Sequence, residues 1–407
     1  MTSRVSSHEP RAHTGARATF DQSRRLAAVQ TPVIPIVSRW IAETPGTVSL
    51  GQGIVSYGPP PEALASVTSF GTSIADHRYG PVEGVEPLVE ALERKLEREN
   101  RIRVGPDARV VVTAGGNLAF MNAVLAIADP GDEFILPVPY YFNHEMAIVI
   151  ADCRAVAVPT TRDYQLDLDA ISRAITPRTR AVVTVSPNNP TGTVYPESAL
   201  RAVNALCRER GLFHIHDEAY EYFTYEGTPH FSPGAIEGAA GHTISIYSLS
   251  KAYGFASWRI GYQVIPEAIW DAINKIQDTD LICPPAISQH VALAAIGVGA
   301  RYARAHLPKL DAMRRLIGQA LHAGVPCDVP DPRGAFYYFL RVHTPLDAMT
   351  LAERLIREHQ VAVIPGSAFG AVDGCYVRVS FGALDEATVE EGVGRLVRGL
   401  TAIAGRR

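Results

Sequence analysis

Between about residues 108 and 248 the chain alternates short apolar runs with longer amphipathic ones, and few folds accommodate that alternation. Arg109–Gly116 (RVVVTAGG), Glu133–Pro139 (EFILPVP), Cys153–Pro159 (CRAVAVP), Thr179–Ser186 (TRAVVTVS), Leu212–Tyr220 (LFHIHDEAY) and His242–Ser248 (HTISIYS) read as strands. Asn117–Ala128, Asp167–Ile175 and Glu197–Gly211 read as helices between them, the last stopped by its own glycine. Several of the strands are almost continuously apolar, as strands are when both faces are covered, and the spacing is that of βαβ units. The predicted fold is therefore α/β, a three-layer sandwich around a mostly parallel central sheet.

Beyond about Pro285 the pattern changes. A long helical stretch from Ile287 to about Ala323 leads away from the sheet, and Gly334–Val342 and Cys375–Phe381 read as strands accompanied by helices over Asp347–Gln360 and Asp385–Leu400. These define a smaller α+β domain. The expected division is an N-terminal arm over 1–47 that partly joins the small domain, a large domain over 48–290 and a small domain over 291–407. The first thirty residues are rich in Ser and Arg and poor in acids; a loose tail is the preferred reading over a transit peptide, and no apolar core of a secretory signal is present. With 407 residues, 47% hydrophobic and 20% charged, the chain can bury a large core. Its net charge of −4 argues against nucleic acid or an anionic membrane as partner. Its apolar runs are too short to span a bilayer. Five scattered cysteines form no framework, which points to a reduced compartment, the cytoplasm.

In an open α/β sheet, ligands bind beyond the C-terminal ends of the strands, and the unusual residues of this chain lie at such ends. Gly115, Gly116 and Asn117 open a helix, where free N–H groups and the positive dipole end suit a phosphate; an ordinary strand-to-helix turn would look the same in isolation. Ser248, Ser250 and Arg259 add hydroxyls and a guanidinium for the same anion. Asp217 closes an apolar strand, and Asn189 sits between two prolines. Lys251 is one of only four lysines, with Lys95, Lys275 and Lys309; those three fall in patterns of solvated helix, whereas Lys251 ends an apolar run. A lysine desolvated near positive charge becomes a nucleophilic amine. Amine, carboxylate and phosphate cradle together fit pyridoxal 5′-phosphate, whose aldehyde needs a Schiff-base lysine and whose ring nitrogen needs an acid to stay protonated and act as an electron sink.

The segments NNPTG (188–192), DEAY (217–220) and SLSKAYG…WRIGY (248–262), in that order and spacing, resemble the fold-type I pyridoxal-phosphate enzymes of the class I/II aminotransferase group, and the likeness runs from Val48 to Gly382. The resemblance implies that Lys251 forms the Schiff base and Asp217 pairs with the pyridine nitrogen. By the same likeness Tyr220 and Asn189 bond the ring's phenolic oxygen, and Gly115, Gly116, Asn117, Ser248 and Arg259 hold the phosphate. Tyr141, ahead of Tyr140, stacks on the ring; Tyr79 reaches the phosphate of a neighbouring subunit's site in a homodimer; Arg378 grips the substrate α-carboxylate, and Gly53 lies near it. The implied activity is transfer of an amino group between an amino acid and a 2-oxo acid. Lys251, freed from the cofactor, would remove the α-proton and redeliver it.

The chain departs from the family where relatives commonly carry GxPdfxPP and it reads GIVSYGPP, with Val55 in place of proline and Ser56 and Tyr57 following. This stretch is expected to line the substrate pocket. His144 is expected to support Tyr141 more than to touch substrate. Tyr337, Tyr338 and Phe339 are expected in the core, and no second arginine for a dicarboxylate stands out, though a partner subunit could bring one. The tyrosine-rich rim favours an aromatic or otherwise bulky substrate. A lyase or elimination/replacement enzyme, of carbon–sulfur lyase or aminocyclopropane-carboxylate-synthase type, would share every cofactor residue. A cofactor-holding regulator would need room for a DNA-binding module, which the short arm does not offer. A nicotinamide dehydrogenase lacks its glycine fingerprint after the first strand.

Overall fold

The computed structural model describes residues 23–405; most of the tail expected at the N-terminus lies outside the described residues. Seven strands build the large sheet: β1 (Ala108–Thr113), β2 (Glu133–Val138), β3 (Arg154–Pro159), β4 (Thr179–Val185), β5 (Phe213–Asp217), β6 (Thr243–Ser248) and β7 (Gly261–Pro266). Their order across the sheet is β1-β7-β6-β5-β4-β2-β3. All neighbours run parallel except β7, which is antiparallel to both β1 and β6. The sheet is thus mostly parallel, as its apolar strands require. Val110–Val112, Phe134–Leu136 and Ala181–Val183 are buried, and apolar clusters cover the sheet on both sides.

Strand β7 was not expected. Its sequence, GYQVIP, starts on glycine and carries a buried glutamine, so its apolar content is too low to announce a central strand. Glycine is required there because a Cβ on Gly261 would stand 2.7 Å from the Tyr247 carbonyl and 3.0 Å from the Gly115 backbone. The long helix expected over 287–323 is three helices, Ala286–Val298, Arg301–Ala305 and Leu307–His322. Gly299, at φ +76°, ends the first.

A smaller antiparallel sheet takes Cys327–Asp328, Tyr337–Val342, Cys375–Ser380 and Ile364–Pro365. Its core is the cluster of Leu340, Val377, Val379, Leu351, Leu355, Leu396 and their neighbours. The N-terminal helix Val33–Glu43 packs here through Val33 and Val37, against Ile356 and Ile364. Val48–Ser49 pairs with Val361–Ala362.

Lys95 overturns an expectation. It is 1% exposed, not solvated. The helix Glu86–Lys95 widens into a π turn, Leu96–Asn100, and the ammonium lies 2.6 Å from Glu221 and 2.8 Å from the Asn100 side-chain oxygen, above the rings of Tyr247 and Tyr222. The sequence carried the signal: Lys95 is seven residues after Leu88 and three after Leu92, on the buried face of the helix. Lys275 and Lys309 are exposed as read.

Candidate active site

Because β1, β2, β4, β5 and β6 run in one direction, their C-terminal ends share one rim, and the segments that follow them meet in a cavity of about 400 Å³. Gly53, Gly116, Asn117, Tyr141, Asn189, Asp217, Tyr220, Ser248, Ser250, Lys251, Arg259 and Arg378 all line it. Of the residues singled out from the sequence, Gly115 sits just behind this wall, and Tyr79 stands apart, 80% exposed. A larger cleft of about 1240 Å³, between residues 157–165 and 321–333, holds none of them.

Lys251 lies on the four-residue helix Leu249–Ala252 that follows β6, whose Ser248 caps it by accepting from the Ser250 N–H at 3.2 Å. Its ammonium donates to the Gly53 carbonyl at 2.5 Å. Burial pushes its pKa down to about 8, aided by the charges of Arg378 and Arg259 and opposed by Asp217.

Asp217 accepts from the Ala219 N–H at 2.9 Å and meets His144 Nε2 at 3.2 Å. His144 is fixed by a stack on Phe120 with centroids 4.0 Å apart. It touches Tyr141 only edge-on at 5.2 Å, so its support goes to Asp217 at least as much as to Tyr141. Tyr141 accepts from Asn143 at 2.8 Å, and burial beside Asp217 raises its pKa to about 12. Tyr140 is turned away, against Gly370.

At the phosphate end, Gly115 has φ +88° and opens the helix Gly116–Ile127. A Cβ there would come within 2.5 Å of the Arg259 guanidinium, so only glycine leaves the concavity between them open. That concavity is lined by helix N–H groups, serine hydroxyls and a guanidinium, a donor set that fits a phosphate.

Arg378 comes from the small sheet, on Cys375–Ser380. It is 3% exposed and donates to Asn189 at 2.9 Å and to the Gly51 carbonyl at 2.7 Å. Its Nε is buried with no hydrogen-bond partner among the described residues, and the residue lines the cavity. Tyr337 was read as core and is 0% exposed, yet it also belongs to the cavity. Its hydroxyl lies 2.7 Å from that of Tyr220, and its ring lies 4.6 Å from the Arg378 guanidinium. Strand alternation separates it from Tyr338, whose hydroxyl bonds the Arg314 carbonyl instead. The departing stretch 55–57 does not line the pocket as expected. Gln52, Gly53 and Ile54 do, while Val55 packs on the small-sheet core and Tyr57 points behind Lys251.

A parallel-sheet rim that brings together a desolvated lysine, an acid and a turn suited to a phosphate, with an arginine opposite, has the donor set of a pyridoxal-phosphate enzyme. The chain belongs to the aminotransferase class I and II family, whose model matches residues 45–396. It is 34% identical to the Arabidopsis thaliana aromatic aminotransferase ISS1, over 93% of this chain and 96% of that protein. It is 36% identical to the Thermus thermophilus aspartate/prephenate aminotransferase, over 81% and 84%. The Thermus thermophilus aspartate aminotransferase solved with maleate superposes with a TM-score of 0.86 at 32% identity, covering 94% of this chain and all of that one. The protein is an aminotransferase, and the elimination alternative is not favoured by these relatives.

Proposed function

We propose that this aminotransferase carries pyridoxal phosphate on Lys251 and works on amino acids with bulky apolar side chains, returning the amino group to a 2-oxo acid. The observation that supports the substrate class is the apolar part of the remaining wall: Ile34, Val37 and Ile41 from one helix, with Ile54, Phe142 and Ile364. Among the described residues, the cations lining the cavity are Lys251, Arg259 and Arg378. With Arg259 on the phosphate and Arg378 on the α-carboxylate, none of the three remains for a side-chain carboxylate. Burying apolar surface stabilises by about 25 cal/mol per Å², which rewards an aromatic or branched side chain on this wall.

When bound, the cofactor supplies an electron sink for the substrate's α-carbon. The protein's residues do the rest. Arg378 would orient the carboxylate through its guanidinium, a bidentate task that suits this group. Lys251 Nζ would accept the α-proton, its lowered pKa leaving a useful neutral fraction near neutrality. Asp217, held by His144, would keep the pyridine nitrogen protonated. Tyr220 and Asn189 would bond the phenolic oxygen, and Tyr141 would cover the ring.

A homodimer belongs to the same reading. Leu64, Val67, Ile74, Tyr79 and Ile282 are exposed on the flank formed by residues 61–79 and 281–298, an apolar surface that a second copy would cover, bringing Tyr79 to the other copy's phosphate site. The five free cysteines, and the absence among described residues of any helix able to cross a membrane, fit a cytoplasmic enzyme. The test is a single-turnover screen of amino acids followed at the cofactor's absorbance. Phenylalanine, tyrosine or leucine should react at least tenfold faster than aspartate at equal concentration; a preference for aspartate refutes the substrate assignment.

A further inference from the structure

The segment Gly53–Tyr57 grips Lys251 from both ends. Gly53 accepts from its ammonium, and the Tyr57 hydroxyl donates to its backbone carbonyl at 2.9 Å. Tyr57 is itself held in a stack: its ring lies on the His306 imidazole with centroids 3.6 Å apart and planes 5° from parallel. Tyr302 abuts both rings edge-on, at 5.8 and 5.0 Å, and donates to the Gly58 carbonyl at 2.6 Å. Gly254, just after the lysine's helical turn, has φ +67°, and a Cβ there would strike the Tyr57 carbonyl at 2.5 Å. The segment and the lysine's turn are therefore packed backbone to backbone. On its other side Val55 packs on the small-sheet core, and the Ile54 carbonyl lies against Gly382.

Gly53 and Ile54 line the cavity, but Tyr57 itself does not. Apolar packing alone would not need the hydroxyl either. Tyr57 is half-buried, burial raises its pKa so that the hydroxyl keeps its proton, and that proton is donated to the Lys251 carbonyl. Its one acceptor here is the carbonyl of the residue whose side chain carries the chemistry.

We propose that Tyr57 is a positioning residue for Lys251: its hydroxyl, braced by the His306 stack and Tyr302, fixes the helical turn from which the reactive amine projects. The inference rests on Lys251 being the cofactor's amine, and the two can fail separately. Borohydride reduction of the wild-type holoenzyme, followed by peptide mapping, tests the lysine alone.

The positioning role is tested in the Tyr57→Phe holoenzyme, which keeps the ring and its stack and loses only the hydroxyl. The expected result is a fall in kcat of about threefold to tenfold, the scale of one neutral hydrogen bond, with KM within about twofold. The pH midpoint of the cofactor's absorption band should rise, because a loosened turn lets the lysine nitrogen reach a more polar, better-solvated setting. His306→Phe, which preserves a flat partner for the stack, should stay close to wild type, and His306→Ala should move towards Tyr57→Phe. A drop in melting temperature alone would mark a purely structural brace and overturn the proposal. So would a changed KM with unchanged kcat, or an absorption midpoint that stays put.

Discussion

The sharpest consequence of the site concerns the proton affinity of Lys251 in the full chain stripped of cofactor. Burial and two guanidinium neighbours bring its pKa to about 8 from an ordinary value of 10.5. At pH 7 about one amine in ten is then neutral, against about three in ten thousand for a solvated lysine, a gain of about 300-fold in nucleophile. The assay is competitive trace acetylation across pH, with the Lys251 peptide quantified by mass spectrometry and exposed Lys275 and Lys309 as internal standards. In the wild type Lys251 should titrate near 8. Two variants must then move in opposite directions. Arg378→Gln removes a positive neighbour and raises the midpoint; Asp217→Asn removes the negative one and lowers it. The sign for folding follows. Between pH 8 and 10.5 the unfolded chain binds more protons at this position than the folded one, so the cofactor-free protein gains stability as pH rises through that window. A wild-type midpoint close to 10.5, or two variants that shift the same way, would refute the account of how the amine is activated.

Two further outcomes are expected. Lys95→Met strands the carboxylate of Glu221 in the interior and should cost about 3–5 kcal/mol in urea unfolding, much of it recovered in the double variant Lys95→Met/Glu221→Gln. Gly115→Ala forces a Cβ into the Arg259 guanidinium at φ +88° and should weaken retention of pyridoxal phosphate on dialysis by at least tenfold, with far less effect on retention of unphosphorylated pyridoxal.

The parallel sheet and its rim were legible because they follow from local rules: continuous apolar strands, helices at βαβ spacing, and ligand groups at strand ends. Lys251 and Asp217 stood out for the same reason, each a polar group closing an apolar run. What the sequence hid depends on partners far away in the chain. The spacing of Lys95 from Leu88 and Leu92 puts it on the buried face of its helix, but only Glu221, 126 residues on, shows what balances its charge there. Tyr337 sits in a strand that looks wholly internal, and only the opposing Tyr220 and Arg378 show that its hydroxyl reaches the cavity. The bond from His144 to Asp217 joins the helix after β2 to the end of β5, and those two strands are not neighbours in the sheet. The stretch around Tyr57 borders the pocket, yet packing against Gly254 turns Tyr57 the other way. Strand β7 escaped because its place in the sheet is set by its neighbours more than by its own composition.

Arg378 reaches the cavity from the small sheet, whereas the cradle, the acid and the lysine all come from the large one. On the proposed roles, holding the cofactor and recognising the amino acid would fall to different sheets. Damage confined to the small sheet would then cost substrate recognition before cofactor retention.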